Sequence, residues 1–202
     1  MFPLYDEGHF FHKTPVVTIG LIFLNTIIFL FTFPHLEETI KTFGMIPANI
    51  LAGQRIGTLF SSMFLHGGFF HLIGNMWFLW IFGDNLEHAM GRIRFLVFYL
   101  SCGLIANFSY CFLTSNINIP TIGASGAVSG VLGGYLVLYP RNRIRTLVPL
   151  GFFLTTVSIP VIVFLFIWFV YQFLLPDERI ATSAHIVGFL VGVLLVKFFQ
   201  RR

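Results

Sequence analysis

The residues best suited to chemistry in this sequence are a serine and a histidine that lie inside apolar segments. Ser125 is the third residue of the small-residue stretch Gly-Ala-Ser-Gly-Ala-Val-Ser-Gly at 123–130, and His185 is the only ionisable group of segment 181–196. A serine at a helix N-terminus can attack a carbonyl carbon while the unpaired backbone N–H groups there stabilise the oxyanion. A neighbouring imidazole activates such a serine by taking its proton. The pair therefore predicts nucleophilic acyl chemistry.

A second histidine-containing stretch supplies hydrogen-bond donors. It reads His-Gly-Gly-Phe-Phe-His-Leu-Ile-Gly-Asn from His66 to Asn75. His71 and Asn75 are four residues apart, so a helix places them on one face. The Asn75 amide is an N–H donor and His71 a candidate second donor, which together with the Ser125 N–H suits an oxyanion hole.

Simpler interpretations of these residues stay open from sequence alone. Ser125 could be only an N-cap that satisfies a backbone N–H group. His185 could be only a hydrogen-bonding residue between two membrane helices. The three histidines His66, His71 and His185 could together ligate zinc.

Composition indicates that all these residues belong to a membrane protein. Of 202 residues, 56% are hydrophobic and only 10% are charged, against about 25% charged in soluble proteins. A soluble domain of this size could not hide so much apolar surface. Disorder, a nucleic-acid-binding module and a disulfide-stapled secreted domain are excluded on the same grounds. A polytopic membrane protein remains.

Six apolar segments approach the length of about 20 residues that a membrane-spanning helix needs. They predict an all-α bundle of six transmembrane helices in a single domain over 1–202, at 16–33, 69–90, 93–113, 125–139, 150–175 and 181–196. The connection 34–68 is too apolar for a water-exposed linker. We expect it to pack on the bundle or to lie in the membrane interface.

The distribution of Lys and Arg predicts the orientation of the bundle. One set of alternate connections holds Lys13, Arg92, Arg94, Arg141, Arg143, Arg145, Lys197, Arg201 and Arg202, and the other holds Lys41, Arg55 and Arg179. The positive-inside rule therefore places both termini in the cytoplasm. The segment from Ser125 to Arg141 spans about 24 Å as a helix, which places Ser125 below the external surface, in a water-accessible hollow.

Small residues predict that the fourth and sixth helices pack closely. Residues recur at every fourth position in two ridges: Gly126, Gly130 and Gly134 on one helix, and Ala184, Gly188 and Gly192 on the other. Such ridges allow helix backbones to approach each other. Packing alone would explain the glycines, but Ser125 and His185 each lie beside the outer end of a ridge, within hydrogen-bond reach if the ridges meet.

The acidic residues argue against a metal site and against a full catalytic triad. No HExxH motif is present, and no carboxylate lies within a predicted span on the external side. A serine–histidine dyad remains, unless Asp177 or Glu178 folds inward. The soluble Gly-x-Ser-x-Gly elbow also fails, because Ala127 occupies its last position. No metal and no cofactor are predicted.

Three separated motifs together resemble the rhomboid family. Gly123-Ala124-Ser125-Gly126 is similar to its GxSG motif, and Ala184-His185 with Gly188 and Gly192 resembles its sixth-helix histidine motif. The stretch from His66 through His71 to Asn75 resembles its second-helix signature. The resemblance extends over all six predicted spans.

The resemblance implies an intramembrane serine protease with a Ser125–His185 dyad that works through an acyl-enzyme. It implies an oxyanion hole of His71, Asn75 and the Ser125 N–H, with His66 organising the loop and Gly123, Gly126 and Gly188 as supporting residues. The implied partners are the lipid bilayer and transmembrane protein substrates, cut near the outer leaflet at small residues in a helix-destabilised stretch. No nucleic acid or metal is implied.

Further expectations follow from the resemblance and from its limits. The family assigns substrate gating to the fifth helix and the loop after it, here around 152–173 and 176–179. A Trp-Arg pair common in the first external loop is replaced by Gly57-Thr58. The lack of further domains is typical of a compact prokaryotic enzyme in the cytoplasmic membrane. A non-catalytic rhomboid-like helix-binding protein is the alternative, and the presence of both Ser125 and His185 argues against it.

Overall fold

The computed structural model describes residues 2–8, 14–150, 153–174 and 181–201 and is predominantly helical. A helix lies at each of the six predicted span positions. These six long helices are α1 (Val16–Thr32), α5 (Phe69–Met90), α6 (Arg92–Leu113), α7 (Ser125–Leu138), α8 (Val161–Leu174) and α9 (Thr182–Phe199).

Contacts between helix ends define two ends of the bundle. The lower end contains the start of α1 and the end of α5, because the Thr18 N–H donates to the Glu87 carboxylate (2.8 Å). The Tyr139 hydroxyl, just after α7, donates to the Asn85 carbonyl oxygen there (3.1 Å). The opposite, upper end is where α5, α7 and α9 begin.

Three helices among the described residues are long and apolar enough to cross a membrane. They are Val16–Phe43, which continues α1 through the short helices after it, Arg92–Leu113 and Thr182–Phe199. Two shorter helices, Ser125–Leu138 and Val161–Gln172, are also apolar. Their length and composition fit a membrane protein, since a spanning helix needs about 20 apolar residues.

The prediction of an all-α fold is wrong at one place, where a three-stranded antiparallel sheet forms. Strand β1 (Phe2–Asp6) pairs with β2 (Arg143–Leu150), and β2 pairs with β3 (Phe153–Pro160) in the order β1-β2-β3. In register, Phe2 lies opposite Leu147. The predicted fifth span at 150–175 is therefore too long, because its first part is strand.

Two features of the sequence explain why the fifth helix starts late. Pro160 has no backbone N–H and its ring clashes with a preceding helical turn, so it disfavours a helix that continues through it from residues 150–159. The segment before it, Thr-Thr-Val-Ser-Ile at 155–159, is rich in β-branched residues that favour strands. The helix therefore occupies only Val161–Leu174.

The sheet is attached to the helices through the N-terminal strand. The indole N–H of Trp77, on α5, donates to the Pro3 carbonyl oxygen (2.6 Å), and the Phe2 ring stacks on the Trp77 ring. At the lower end the Tyr135 hydroxyl donates to the Asp6 carboxylate. The first strand thus bridges α5 and α7.

The 34–68 connection contains three short helices: α2 (Leu36–Phe43), α3 (Pro47–Leu51) and α4 (Thr58–Ser61). Met45 and Thr121 form an isolated antiparallel bridge, which joins this connection to the one before α7. Buried Met45 and Ile50 pack with Cys111 of α6. The connection therefore packs on the upper end of the bundle.

A buried carboxylate holds the lower end of α1 in place. Glu87, 4% exposed, accepts hydrogen bonds from the Val17 N–H (3.0 Å), the Thr18 N–H (2.8 Å) and the Thr18 hydroxyl (2.9 Å). A carboxylate at a helix N-terminus also interacts favourably with the helix dipole. This contact caps α1 with a side chain from α5.

We expect Glu87→Ala to cost about 2–4 kcal/mol, because it leaves buried backbone donors without an acceptor. The measurement is the apparent Tm in detergent, which should fall by about 5 °C or more. Glu38→Ala, at an exposed position of α2, is the matched control and should change the Tm little. Equal Tm values for the two variants would contradict this account of Glu87.

Candidate active site

A glycine turn brings the chain to Ser125 at the upper end of α7. Gly123 has φ +127°, which L side chains rarely adopt, and its N–H donates to the Ser62 carbonyl oxygen (2.9 Å). Ala124 occupies the N-cap position, and Ser125 is the first residue of the helix. Capping therefore does not account for Ser125, whose side chain is half-buried.

The two glycine ridges lie against each other in the α7–α9 pair. A Cβ atom at Gly188 would collide with the Gly126 carbonyl oxygen, and one at Gly192 would collide with the Gly130 carbonyl oxygen. Gly133 makes a similar approach to the backbone of α9, which its position outside the ridge did not predict. The backbones thus meet as closely as the absence of side chains allows.

The glycine register sets the relative heights of Ser125 and His185. Gly126 of α7 faces Gly188 of α9, and Gly130, one turn later, faces Gly192, so α7 and α9 run in parallel. Ser125 precedes Gly126 by one residue and His185 precedes Gly188 by three. At 1.5 Å of rise per residue, the serine and the histidine lie within about 3 Å of the same height.

One cavity of about 680 Å³ lies at the upper end. Its lining includes all four predicted catalytic and oxyanion-hole residues, Ser125, His185, His71 and Asn75, and the predicted supporting residues Gly123 and Gly126. His66 does not line it; its ring is fully buried and packs edge-on against the His71 ring, with centroids 5.1 Å apart. The tertiary structure therefore brings three sequence-distant segments to a single cavity.

His71 presents a donor toward the serine. The Gly67 N–H donates to its Nδ1 atom (3.3 Å), so the neutral ring carries its proton on Nε2. A Cβ atom built on Gly123 would lie 2.7 Å from His71 Nε2 and 3.6 Å from Ser125 Oγ. Both atoms are thus close to one point, and only a glycine leaves that point open.

Asn75 is the second side-chain donor beside the cavity. It is buried, and its Nδ2 atom donates one hydrogen to the His71 carbonyl oxygen one turn earlier (2.9 Å). An amide nitrogen carries two hydrogens, so the second is available to an acceptor in the cavity. The shared helix face predicted for His71 and Asn75 is the face that lines the cavity.

Sequence reasoning missed the residue that contacts His185. The Nδ1 atom of His185 lies 2.9 Å from the Oε1 atom of Gln172, which is on α8. Gln172 is a polar side chain inside an apolar helix, and such residues are costly in a membrane and mark function or internal pairing. The same criterion that selected His185 would have selected Gln172.

A further residue that sequence reasoning missed anchors the first connection. Asn107 of α6 is buried and donates from Nδ2 to the Leu59 carbonyl oxygen (2.9 Å) and to the Ser62 hydroxyl (3.2 Å). Ser62 in turn accepts the hydrogen bond from Gly123. The loop in which Gly57-Thr58 stands is therefore attached to the turn before Ser125 from inside the bundle.

The described residues do not group into a metal site. Among residues 2–8, 14–150, 153–174 and 181–201, no cluster of three His, Cys, Asp or Glu side chains is placed to hold an ion. The acids Asp177 and Glu178, and the predicted gating loop 176–179, lie outside the described residues.

The buried His66 ring makes the stability of the protein depend on pH. Burial lowers the pKa of His66 to about 3, from an ordinary 6.5. Below pH 6.5 the unfolded chain binds a proton here that the folded chain does not, so the unfolding free energy falls as the pH falls. The loss approaches about 1.4 kcal/mol per pH unit until the folded-state pKa is reached.

We therefore expect the apparent Tm in detergent to fall between pH 7 and pH 5, and His66→Phe to make that fall shallower. The control is His35→Phe, at an exposed position, which should keep the slope of the native chain. A slope that is identical in all three proteins would show that His66 does not contribute to it.

Comparison with known proteins identifies the relatives of this chain. The family model described as Rhomboid domain matches residues 52–202. "Presenilin-associated rhomboid-like protein, mitochondrial" of Mus musculus is 35% identical over 130 residues, which cover 62% of this chain and 33% of that protein. The chain thus spans about a third of the length of this mammalian relative.

Two bacterial relatives come from Bacillus subtilis (strain 168). "Putative rhomboid protease YdcA" is 30% identical over 130 residues, 64% of this chain and 65% of that protein. "Rhomboid protease GluP" is 32% identical over 158 residues, 77% of this chain and 28% of that protein.

Proposed function

This chain belongs to the rhomboid family, and from that premise we propose that it is an intramembrane serine endopeptidase with Ser125 and His185 as its catalytic dyad. One observation carries the proposal. Helices α7 and α9, whose backbones meet at their glycines, carry the serine and the histidine at nearly the same height beside one cavity. Two bacterial relatives, named as a putative rhomboid protease and a rhomboid protease, support this activity.

In the proposed reaction, His185 takes the proton of the Ser125 hydroxyl as its oxygen attacks the scissile carbonyl carbon. The tetrahedral intermediate collapses to an acyl-enzyme, and His185 gives the proton to the leaving amine. Water from the cavity then hydrolyses the ester. The position of Ser125 at the start of α7 supports this role, because no preceding helical turn covers it.

The developing oxyanion would be stabilised by three donors. The His71 Nε2–H, the second hydrogen of Asn75 and the Ser125 N–H at the helix N-terminus all lie beside the cavity. Donors arranged in advance at the point where charge develops contribute most in a site that excludes bulk water. His66 would support the His71 ring from behind.

We propose that all six long helices cross the membrane, with both termini in the cytoplasm and the cavity open to the external side. The Lys and Arg distribution supports this orientation. A cell (cytoplasmic) membrane location follows from the same proposal. The substrates are transmembrane segments of other proteins, which must unwind locally, because a helical carbonyl is already hydrogen-bonded and surrounded by its helix.

The test is incubation of the purified full chain with a tagged single-span substrate in detergent and in liposomes, with the products located by mass spectrometry. We expect one cut within the transmembrane segment, near its external end. Substrate that is retained on the protein but never cut would overturn the proposal in favour of a helix-binding protein.

The geometry around Gly123 makes a further prediction for this activity. Gly123→Ala should lower cleavage by about 10- to 100-fold, because the added Cβ would displace the His71 donor and strain a turn with φ +127°. Gly53→Ala is the matched control, since Gly53 has φ +73° but no heavy atom near an added Cβ. Similar cleavage by both variants would argue against His71 as a donor.

A further inference from the structure

The contact between α8 and α9 assigns a proton position on His185. Gln172 has one donor and one acceptor group at the end of its side chain. Its Nε2 atom donates to the Trp168 carbonyl oxygen one turn earlier (3.3 Å), which leaves Oε1 facing His185 Nδ1 at 2.9 Å. A carbonyl oxygen only accepts hydrogen bonds, so Nδ1 of His185 carries the proton.

This assignment gives the two cavity histidines opposite tautomers. His185 has its proton on Nδ1, which leaves Nε2 as a base, whereas His71 accepts at Nδ1 and carries its proton on Nε2. A dyad requires a base beside the hydroxyl, and an oxyanion hole requires a donor. Each tautomer is set by one hydrogen bond: Gln172 holds that of His185, and the Gly67 N–H holds that of His71.

None of the carboxylates in the part of the chain that the structure describes is placed to hold the His185 tautomer. Asp6, Glu7, Asp84 and Glu87 lie in the sheet or at the lower end of the bundle, and Glu37 and Glu38 are exposed on α2. In Ser–His–Asp proteases an aspartate holds the tautomer and stabilises the imidazolium. An uncharged amide oxygen can also hold the tautomer. It stabilises the imidazolium less than a carboxylate does, because it carries only a partial negative charge.

We propose that Gln172 is a positioning residue that orients His185 and keeps its Nε2 atom unprotonated for the Ser125 hydroxyl. This inference rests on the proposed function. The Trp168 carbonyl is part of the device, because it holds the Gln172 amide nitrogen away from the imidazole. The reacting pair on α7 and α9 thus depends on a contact from α8.

The test compares the activities of two substitutions of Gln172. If Gln172 is only structural, Gln172→Met should be the more active variant; if it positions His185, Gln172→Glu should be the more active. Gln172→Met keeps the length and packs well in an apolar helix but removes the acceptor. Gln172→Glu keeps an acceptor oxygen but introduces a charge. Phe31→Leu, at a position of α1 that is 78% exposed, is the control for a substitution in an apolar helix away from the site.

Two readouts separate tautomer control from packing. The first is the rate at which a fluorophosphonate probe labels Ser125, together with kcat and KM for cleavage. We expect Gln172→Met to lower the labelling rate and kcat by about 10- to 100-fold with little change in KM. We expect Gln172→Glu to retain most of the labelling rate and of kcat, and Phe31→Leu to match the native chain in both.

The second readout is the ¹⁵N spectrum of histidine-labelled protein, in which the His185 signals are identified by their loss in His185→Ala. We expect a protonated Nδ1 in the native chain and a mixture of tautomers in Gln172→Met. A proton on Nε2 of His185 in the native chain would overturn the inference, as would equal activity of Gln172→Met and the native chain.

The outcomes distinguish this inference from the proposed function. A native chain that cleaves while Gln172→Met is unaffected rejects the positioning role and leaves the protease intact. A native chain that neither cleaves nor is labelled rejects the protease, and with it the catalytic role of Gln172.

Discussion

Ser125→Ala and His185→Ala should each lower cleavage of a single-span substrate by at least about 1,000-fold, because each removes one member of the proposed dyad and the remaining member cannot act alone. The double variant should be no slower than either single variant, since the residual rate no longer depends on the dyad. The measurement is initial rate in detergent, with apparent Tm recorded for every variant.

Two substitutions of the same type serve as controls for this prediction. Ser101→Ala removes a hydroxyl from α6 away from the cavity, and His35→Ala removes an exposed imidazole. Both should cleave at the native rate. If Ser125→Ala is folded and cleaves as fast as Ser101→Ala, Ser125 is not the nucleophile.

Gly192→Ala should damage both the fold and the activity, although the alanine is far from the cavity. Its Cβ would collide with the Gly130 carbonyl oxygen, so α7 and α9 must separate. Overpacking of this kind costs about 1–3 kcal/mol or more. A displacement of about 1 Å between reacting groups can also cost about 100-fold in rate. We expect a lower apparent Tm together with a large loss of cleavage.

Gly20→Ala provides the matched comparison. Gly20 lies inside α1, and an added Cβ there meets no heavy atom within 4 Å. Alanine favours helix by about 1 kcal/mol relative to glycine, so this variant should be as stable as the native chain or slightly more so. If Gly192→Ala behaved like Gly20→Ala, the close approach of the two helices would not matter for the fold.

Several features of this protein were predictable from sequence because they depend on local chemistry. The membrane class follows from composition, and the family is confirmed by the match of residues 52–202. Ser125 and His185 stand out because polar groups are rare in apolar segments. The four-residue spacing of His71 and Asn75 defines a helix face at any position in the fold. The catalytic roles of these residues stay predictions until the variants are measured.

The three-stranded sheet could not be predicted from local sequence patterns. Residues 153–160 adjoin the long apolar run of the predicted fifth span at 150–175, but they form strand β3. Their neighbour β2 also pairs with β1, which lies about 140 residues away in the chain. Pro160 and the β-branched residues at 155–159 were the local signals of the boundary, because a proline interrupts the interior of a helix and β-branched residues favour strands.

The supporting contacts of the site could be seen only in three dimensions. Gln172 and His185 lie on different helices, and the Asn107 contact joins α6 to a loop far earlier in the chain. Spacing along one helix carries no information about such pairs, because the partner is chosen by how the helices pack. Sequence was therefore sufficient to select the candidate catalytic residues, whereas packing decided which side chains contact them.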